Sequence, residues 1–247
     1  MPSTTRDGGN PPTISERHQK SADPAADLGV LQRVQLWTTG LRLLNNPDRL
    51  GDVFVLEELL KDSDASRALT LRALSHERGR EAARERWRLP RVDMPSLRAL
   101  PAGTLGAAFA AQLDARGLDP ASLPRKPAGD DSAYVRAHLY ETHDIWHVAL
   151  GFDTDIAGEL GVQAAYIAQV GGALGPLLVS GGLLHGILRD QNDWPRRLEA
   201  VMRGHAIAKQ AEPLFGVRWD TLWATPLEAV RTSLRLPPNG AQLSPQK

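Results

Sequence analysis

The chain has 247 residues, 29 basic against 29 acidic, 42% hydrophobic content and no cysteine. That length suits one domain with a sizeable core. The even charge lacks the basic footprint of a nucleic-acid binder. The missing cysteine excludes disulfides, thiolate zinc sites, iron–sulfur clusters and a cysteine nucleophile, so any metal must be held by His, Asp or Glu.

Residues 1–27 are polar and rich in Pro, Gly and Ser. They lack the apolar core of a signal peptide and bury too little surface to offset their ordering entropy, so a disordered tail is expected. Residues 238–247 are similar in composition. A cytoplasmic location follows by default. Between the tails, residues 28–237 carry helical apolar spacing nearly throughout and no alternating β-branched run. The expected fold is therefore all-α, a single multi-helix domain.

In chain order, "DLGVLQRVQLWTTGLRLL" predicts a first helix with Leu28, Leu31, Val34 and Leu41 among its apolar positions. "DVFVLEELLKD" follows the Asn45-Asn46-Pro47 break. "ASRALTLRALSHERGREAARERW" predicts a charged helix interrupted at Gly79, and the three prolines of "RLPRVDMPSLRALPAG" predict an irregular connector. "GTLGAAFAAQLDARGL" is a small apolar helix and "DPASLPRKPAGDD" a loop. A helix from Ser132 to Leu150 then ends at Gly151, a C′ stop, and Asp153, Thr154 and Asp155 offer caps for the next one.

From Leu160 to Leu188 there is no Asp, Glu, Lys or Arg, but there are six glycines between Gly171 and Gly186. A single membrane span fits by length, but the glycine pairs and Pro176 punctuate it. Two buried helices, 156–170 and 174–189, with close backbone contacts are expected instead. The uncharged run also suits a lipid or a homodimer contact. Near the C-terminus Thr225, Pro226 and Glu228 have capping-box spacing, which predicts a helix over 226–235. Trp219 and Trp223 before it are expected core anchors.

The chemistry concentrates in "ETHDIWHVALGFDTDIAGE", residues 141–159. On a helix His147 lies about 40° and Asp144 about 100° round from His143, so all three share one arc. Two imidazoles four apart on one face can hold a divalent ion. A helix–turn–helix return brings Glu159 back over them. Spacing alone leaves a metal site and a polar core helix both open. A zinc protease would have Glu where Asp144 stands. An HD-type phosphohydrolase would need to recruit His76 and Asp193 or Asp220.

"HDIWHVALGFDTDIAGE" fits the pattern HDxxH, eleven residues, then E. Two further segments, "LPAGTLGAAFAAQLDARGLDP" and "GHAIAKQAEPLFGVRWDTLWATPLEAVRTSLRL", accompany it in order. Together these motifs resemble the coenzyme Q (ubiquinone) biosynthesis family known as Coq-four, over about residues 30–237. The resemblance implies an all-helical fold and a zinc ion held by His143, Asp144, His147 and Glu159. It implies action on polyprenylated benzoate and quinone intermediates at the inner face of the cell membrane, in peripheral contact with it. The family is implicated in C1 decarboxylation of the ring, with hydroxylation there, and in organising partner enzymes of the pathway. The ligand set also accepts Fe²⁺ or Mn²⁺, and Zn²⁺ itself has no redox chemistry. A non-catalytic scaffold with a structural zinc is the alternative. Many relatives carry arginine where this chain has Tyr140. Tyr140 and Arg136 fall on the stripe of His143. Arg136 is expected to hold the substrate's carboxylate or ring oxygens, with Tyr140 beside the ligands.

Overall fold

The structure, a computed structural model, describes residues 29, 31, 32, 34–36, 38, 39, 50–122 and 124–238. The tail expected over 1–27 lies outside the described residues, as do Leu28, Leu41, the Asn45-Asn46-Pro47 break and all of 238–247 but residue 238. Of the first expected helix, 31, 32, 34–36, 38 and 39 are helical, and Leu31 and Val34 are exposed.

Ten α-helices follow among the described residues: α1 (Leu50–Leu60), α2 (Asp64–Ala73), α3 (Glu77–Arg84), α4 (Met94–Arg98), α5 (Leu105–Arg116), α6 (Asp131–Leu150), α7 (Ile156–Gln169), α8 (Leu174–Arg189), α9 (Trp194–Gln210) and α10 (Leu227–Ser233). Those residues contain no strand, only an isolated bridge between Thr104 and Pro226. The expected all-α class is what the chain adopts.

Side-chain caps start five of these helices. Ser63, Asp93, Thr104, Asp130 and Asp155 each accept from a backbone N–H in the first turn of the helix that follows, satisfying donors that have no intrahelical partner. Gly117 and Gly151 end α5 and α6 in the left-handed conformation. The core surrounds α6. Trp146, Trp219, Tyr134, Ile145, Leu105 and Leu113 are all fully buried, each worth roughly 1.5–3 kcal/mol relative to an exposed side chain. Trp219 is thus the core anchor expected, and Trp223 packs partly buried against the core, its ring on Phe109.

Glycine permits the closest helix pair. A Cβ on Gly204 of α9 would lie 2.0 Å from the carbonyl oxygen of Gly161 in α7, so the two backbones touch. Helix α8 leans on α7 the same way, with Gly182 against Leu160 and Gly175 against Ile167. Arg197 of α9 is buried and ties this corner together, donating to Asp193 at 2.7 Å, to Asp190 at 2.9 Å and to the Gly182 carbonyl at 3.1 Å.

Four local expectations change. The charged segment breaks at Leu74–His76 and not at Gly79, which is buried where a Cβ would strike the Ala73 carbonyl at 2.1 Å. The proline-rich connector contains α4, capped by Asp93 with Pro95 in its first turn. The capping box at Thr225 is not made. Pro226 is extended as N-cap, Leu227 N–H donates to the Gly103 carbonyl at 2.8 Å, and Glu228 pairs with Arg231. The Thr225 N–H, which Glu228 would accept in a capping box, instead donates to the Leu222 carbonyl at 2.9 Å. Finally, α7 is a core helix as expected but α8 is not. Only Gly175, Gly182 and Gly186 of α8 are buried, while Leu177, Leu184, Ile187 and Leu188 are exposed. Its glycine stripe meets the protein and its leucine stripe does not. Among the described residues, no helix is long and apolar enough to cross a membrane.

Candidate metal centre

The α6–α7 turn builds the site. Gly151 reverses the chain after α6, Asp155 caps α7, and Glu159 comes back over the histidines one turn into α7. His143 Nε2 and His147 Nε2 stand 3.2 Å apart. Glu159 bridges them, with Oε2 at 3.3 Å from His143 Nε2 and Oε1 at 3.1 Å from His147 Nε2. Among the described residues these three form the group able to hold a metal ion, with one ligand atom from each within 4.8 Å of the others.

The far side of each ring fixes its chemistry. His147 Nδ1 lies 3.0 Å from the Asp153 carbonyl oxygen. A carbonyl only accepts, so that nitrogen carries a proton, and Nε2, turned to Glu159, is the nitrogen left to take a cation. His143 Nδ1 lies 3.1 Å from the Tyr166 hydroxyl. Burial disfavours a charged His143, but the carboxylates of Glu159 and Asp144 outweigh it and raise its pKa. Burial likewise pushes Glu159 up, yet the two histidines hold its carboxyl well below the usual carboxylate range. Tyr166 is kept a neutral phenol, its pKa driven well above the ordinary value by burial and by Glu159 and Asp144.

These features suit a cation. Ligand atoms about 2.0–2.1 Å from a tetrahedral ion stand roughly 3.3 Å from one another. The donors here are 3.1–3.3 Å apart. Two imidazole nitrogens and a carboxylate facing one another are stabilised by positive charge between them, supplied by a proton on a ring or by a metal ion. The set has an open edge: the His147 side chain is 0% exposed and that of His143 23%, but that of Glu159 is 40% exposed.

The remaining expected residues lie around this group and not in it. Asp144 is partly buried on the next position of α6. It acts on His143 through its charge but is not one of the three converging donors. Tyr140 packs its ring on Phe54, with ring centroids 5.6 Å apart, and under the Lys126 ammonium at 4.4 Å. Arg136 is directed away. Its guanidinium donates to Ser132 Oγ at 2.6 Å and to Ser66 Oγ at 3.4 Å, on the side where α2 packs. The candidates His76, Asp193 and Asp220 are not in the donor group. Tyr166 and the Asp153 carbonyl are functional neighbours that sequence reasoning missed. Tyr166 did leave a signal, standing seven residues after Glu159 and hence two turns along one face of α7. A backbone carbonyl leaves none.

Comparison with known proteins bears on what this centre serves. The family model described as "Coenzyme Q (ubiquinone) biosynthesis protein Coq4" matches residues 25–239. A mitochondrial ubiquinone biosynthesis protein COQ4 homolog of Culex quinquefasciatus is 29% identical over 211 residues, which are 83% of this chain and 75% of that one. The COQ4 protein of Eremothecium gossypii is 30% identical over 212 residues, 81% of this chain and 64% of its own length. That of Clavispora lusitaniae is 28% identical, with 79% of this chain spanning 62% of it. The chain thus spans less than two thirds of these fungal relatives. A crystal structure from Nostoc punctiforme PCC 73102, of a protein assigned to ubiquinone biosynthesis, superposes with a TM-score of 0.72 at 25% identity. It covers 82% of this chain and 97% of the other. The match runs through every helix of the metal centre, and on it the chain belongs to the Coenzyme Q (ubiquinone) biosynthesis protein Coq4 family.

Proposed function

We propose that this protein removes the C1 carboxyl group of a polyprenylated hydroxybenzoate precursor of ubiquinone, at a divalent metal centre held by His143, His147 and Glu159. The observation that carries this reading is the convergence of two imidazoles and one carboxylate with a solvent-open edge at Glu159. Three protein donors are the number found where a metal keeps a position for substrate. Zn²⁺ fits the set, and Fe²⁺ or Mn²⁺ would also be accepted. When bound, such an ion supplies Lewis acidity toward a ring oxygen. The chain's own part is to hold both imidazoles rigidly with Nε2 outward and to leave the Glu159 edge accessible.

The prenyl tail would lie along α8. Its exposed face offers Leu177, Leu184, Ile187 and Leu188, and Gly182 sets that helix against Leu160, the residue next to Glu159. The same stripe suits peripheral contact with a membrane, where such a substrate resides. Arg136 as the carboxylate-binding group and Tyr140 as a residue flanking the ligands belong to this proposal, with Arg136 released from its two serines on binding.

A second reading is a non-catalytic, lipid-binding scaffold that organises other enzymes of the pathway. Asp144 favours it: a carboxylate beside His143, turned inward, would make a fourth donor and close a tetrahedral site. Metal analysis of the purified protein, with His147→Ala as control, tests the centre. Turnover of the carboxylated prenyl precursor by metal-loaded protein then tests the chemistry. Metal content that survives His147→Ala would overturn the site, and a loaded protein inert on the precursor would leave the scaffold.

A further inference from the structure

We propose that the Tyr166 hydroxyl sets the tautomer and ring plane of His143, and thereby the affinity of the centre for its cation. This inference rests on reading His143, His147 and Glu159 as metal ligands. The two histidines are held unequally. His147 is fixed by the Asp153 carbonyl at 3.0 Å, a main-chain acceptor that forces the proton onto Nδ1. His143 meets only a hydroxyl, at 3.1 Å, and a hydroxyl can give or take a proton. A cation on Nε2, in place of a proton shared with Glu159 Oε2 at 3.3 Å, leaves the ring proton only Nδ1, and the phenolic proton can then turn toward the Leu139 carbonyl, 3.5 Å from the Tyr166 oxygen. That carbonyl can only accept. With the phenolic proton turned to Leu139, the oxygen accepts from His143 Nδ1–H, and Nε2 is left as a lone pair beside Glu159.

Position makes Tyr166 suited to this. It stands two turns beyond Glu159 on α7, so one helix carries both the bridging carboxylate and the residue that orients its histidine. The Trp146 ring packs against it at a 47° tilt with centroids 4.5 Å apart, and Trp146 is fully buried. The hydroxyl is therefore held in place from behind by the same helix, α6, that bears His143 and His147. Without the hydroxyl, His143 Nδ1 loses its protein partner. The imidazole proton then has no reason to prefer Nδ1 and can occupy the nitrogen that should face the cation. Losing such an outer partner of a metal-bound histidine typically weakens metal binding by about 10–100-fold.

Tyr166→Phe removes one oxygen and keeps the ring against Trp146. The full chain is purified metal-free, and Zn²⁺ affinity is measured by competition with a chromophoric chelator, alongside His147→Ala. A loss of about 10–100-fold in Tyr166→Phe, with the melting temperature of the metal-free protein close to wild type, supports the role. Affinity within about twofold of wild type overturns it. If Tyr166→Phe does not fold, the wild type alone decides. Imidazole ¹⁵N and ¹H shifts of the Zn²⁺-loaded protein should show His143 protonated at Nδ1 with that proton hydrogen-bonded, and an Nδ1–H shift of an imidazole without a hydrogen-bond partner overturns the proposal. His147→Ala separates the failures: if it binds Zn²⁺ as tightly as wild type the metal centre itself is wrong, whereas if it loses Zn²⁺ and Tyr166→Phe does not, only the Tyr166 role falls.

Discussion

Gly158→Ala offers the sharpest test of how the turn between the two site helices works. A Cβ at Gly158 would stand 1.8 Å from the Asp153 carbonyl oxygen and 2.7 Å from its carbon. Real Cβ contacts essentially never fall under 3.0 Å, so turn or helix must separate by at least 1.2 Å, and the obstacle is backbone, not a pliable side-chain end. Forcing an extra methyl into such packing costs about 1–3 kcal/mol. In a domain of this size each kcal/mol lowers the melting temperature by about 2–4 °C, which puts the expected drop at about 2–12 °C. The carbonyl that must move is also the one that holds His147 Nδ1 at 3.0 Å, so a shift over 1 Å breaks that hydrogen bond. Metal affinity should fall with stability, by about 10–100-fold. Thermal melts with added Zn²⁺ and with chelator read both effects. Gly51→Ala in α1 is the control, since a Cβ there meets nothing within 4 Å, and it should be neutral or stabilising by up to about 1 kcal/mol. Were Gly158→Ala to melt with the wild type and gain as much from Zn²⁺, the turn would not be positioning His147.

Two further outcomes follow from buried charge and its absence. Arg231 is buried and donates to the Val148 and Ala149 carbonyls at 2.9 and 3.0 Å, at the C-terminal end of α6. Arg231→Met should lower the free energy of urea unfolding by about 2–4 kcal/mol, and Arg231→Lys should recover less than half of it because an ammonium lacks the planar fork. An unchanged midpoint in Arg231→Met would show that these carbonyls are satisfied some other way. His138 is fully buried, accepts at Nε2 from the Gly216 N–H at 3.1 Å, and has its pKa pushed down to about 4 by burial, with Arg88 and Arg218 adding to the effect. The unfolded chain takes up its proton near pH 6.5 and the folded chain only near 4. Stability is therefore complete above about 6.5 and lost as pH falls toward 4, by up to about 3 kcal/mol. His138→Gln keeps an acceptor without the titration. Urea midpoints from pH 7.5 to 4 should fall less steeply for it than for wild type, and parallel slopes would remove His138 as the cause.

Helix periodicity and cap chemistry made much of this fold legible. Gly151 as a stop, Asp155 as a cap and Trp219 as an anchor all follow from local rules that tertiary packing had no cause to override. The failures share one physical origin, which is that partners distant in sequence took over a local role. The Gly103 carbonyl takes the Leu227 N–H and the Leu222 carbonyl takes the Thr225 N–H, so the helix starts one residue late, with Pro226 as N-cap, and the box is not made. Gly79 looked like a breaker because an interior glycine weakens a helix. It is tolerated inside α3 because Ala73 and Phe215 crowd the space a Cβ would need. The uncharged run reads as two buried helices, with a lipid or dimer contact as the other use, because hydropathy reports composition, not which side of a helix has a neighbour. In α8 the small residues have one, and the leucines do not.

The site was legible to the extent that it depends on helical register. HxxxH on α6 and Glu159 past the turn come together, because spacing alone dictates the arc of the histidines and the return of the next helix. Asp144 shares that arc by angle but is not among the converging donors. The angle of a position says nothing of how far a short side chain reaches, and Glu159, one methylene longer, already bridges both Nε2 atoms. Glu159 and Leu160 then divide the work of α7 between them. Successive residues on a helix point about 100° apart. Glu159 meets the histidines on α6 while Leu160 meets Gly182 on α8, so α7 stands between a polar edge of imidazoles and carboxylate and a helix whose outer stripe is bare leucine and isoleucine. A substrate with one polar ring and a long apolar tail requires two such surfaces one helix apart, and a purely structural metal requires only the first.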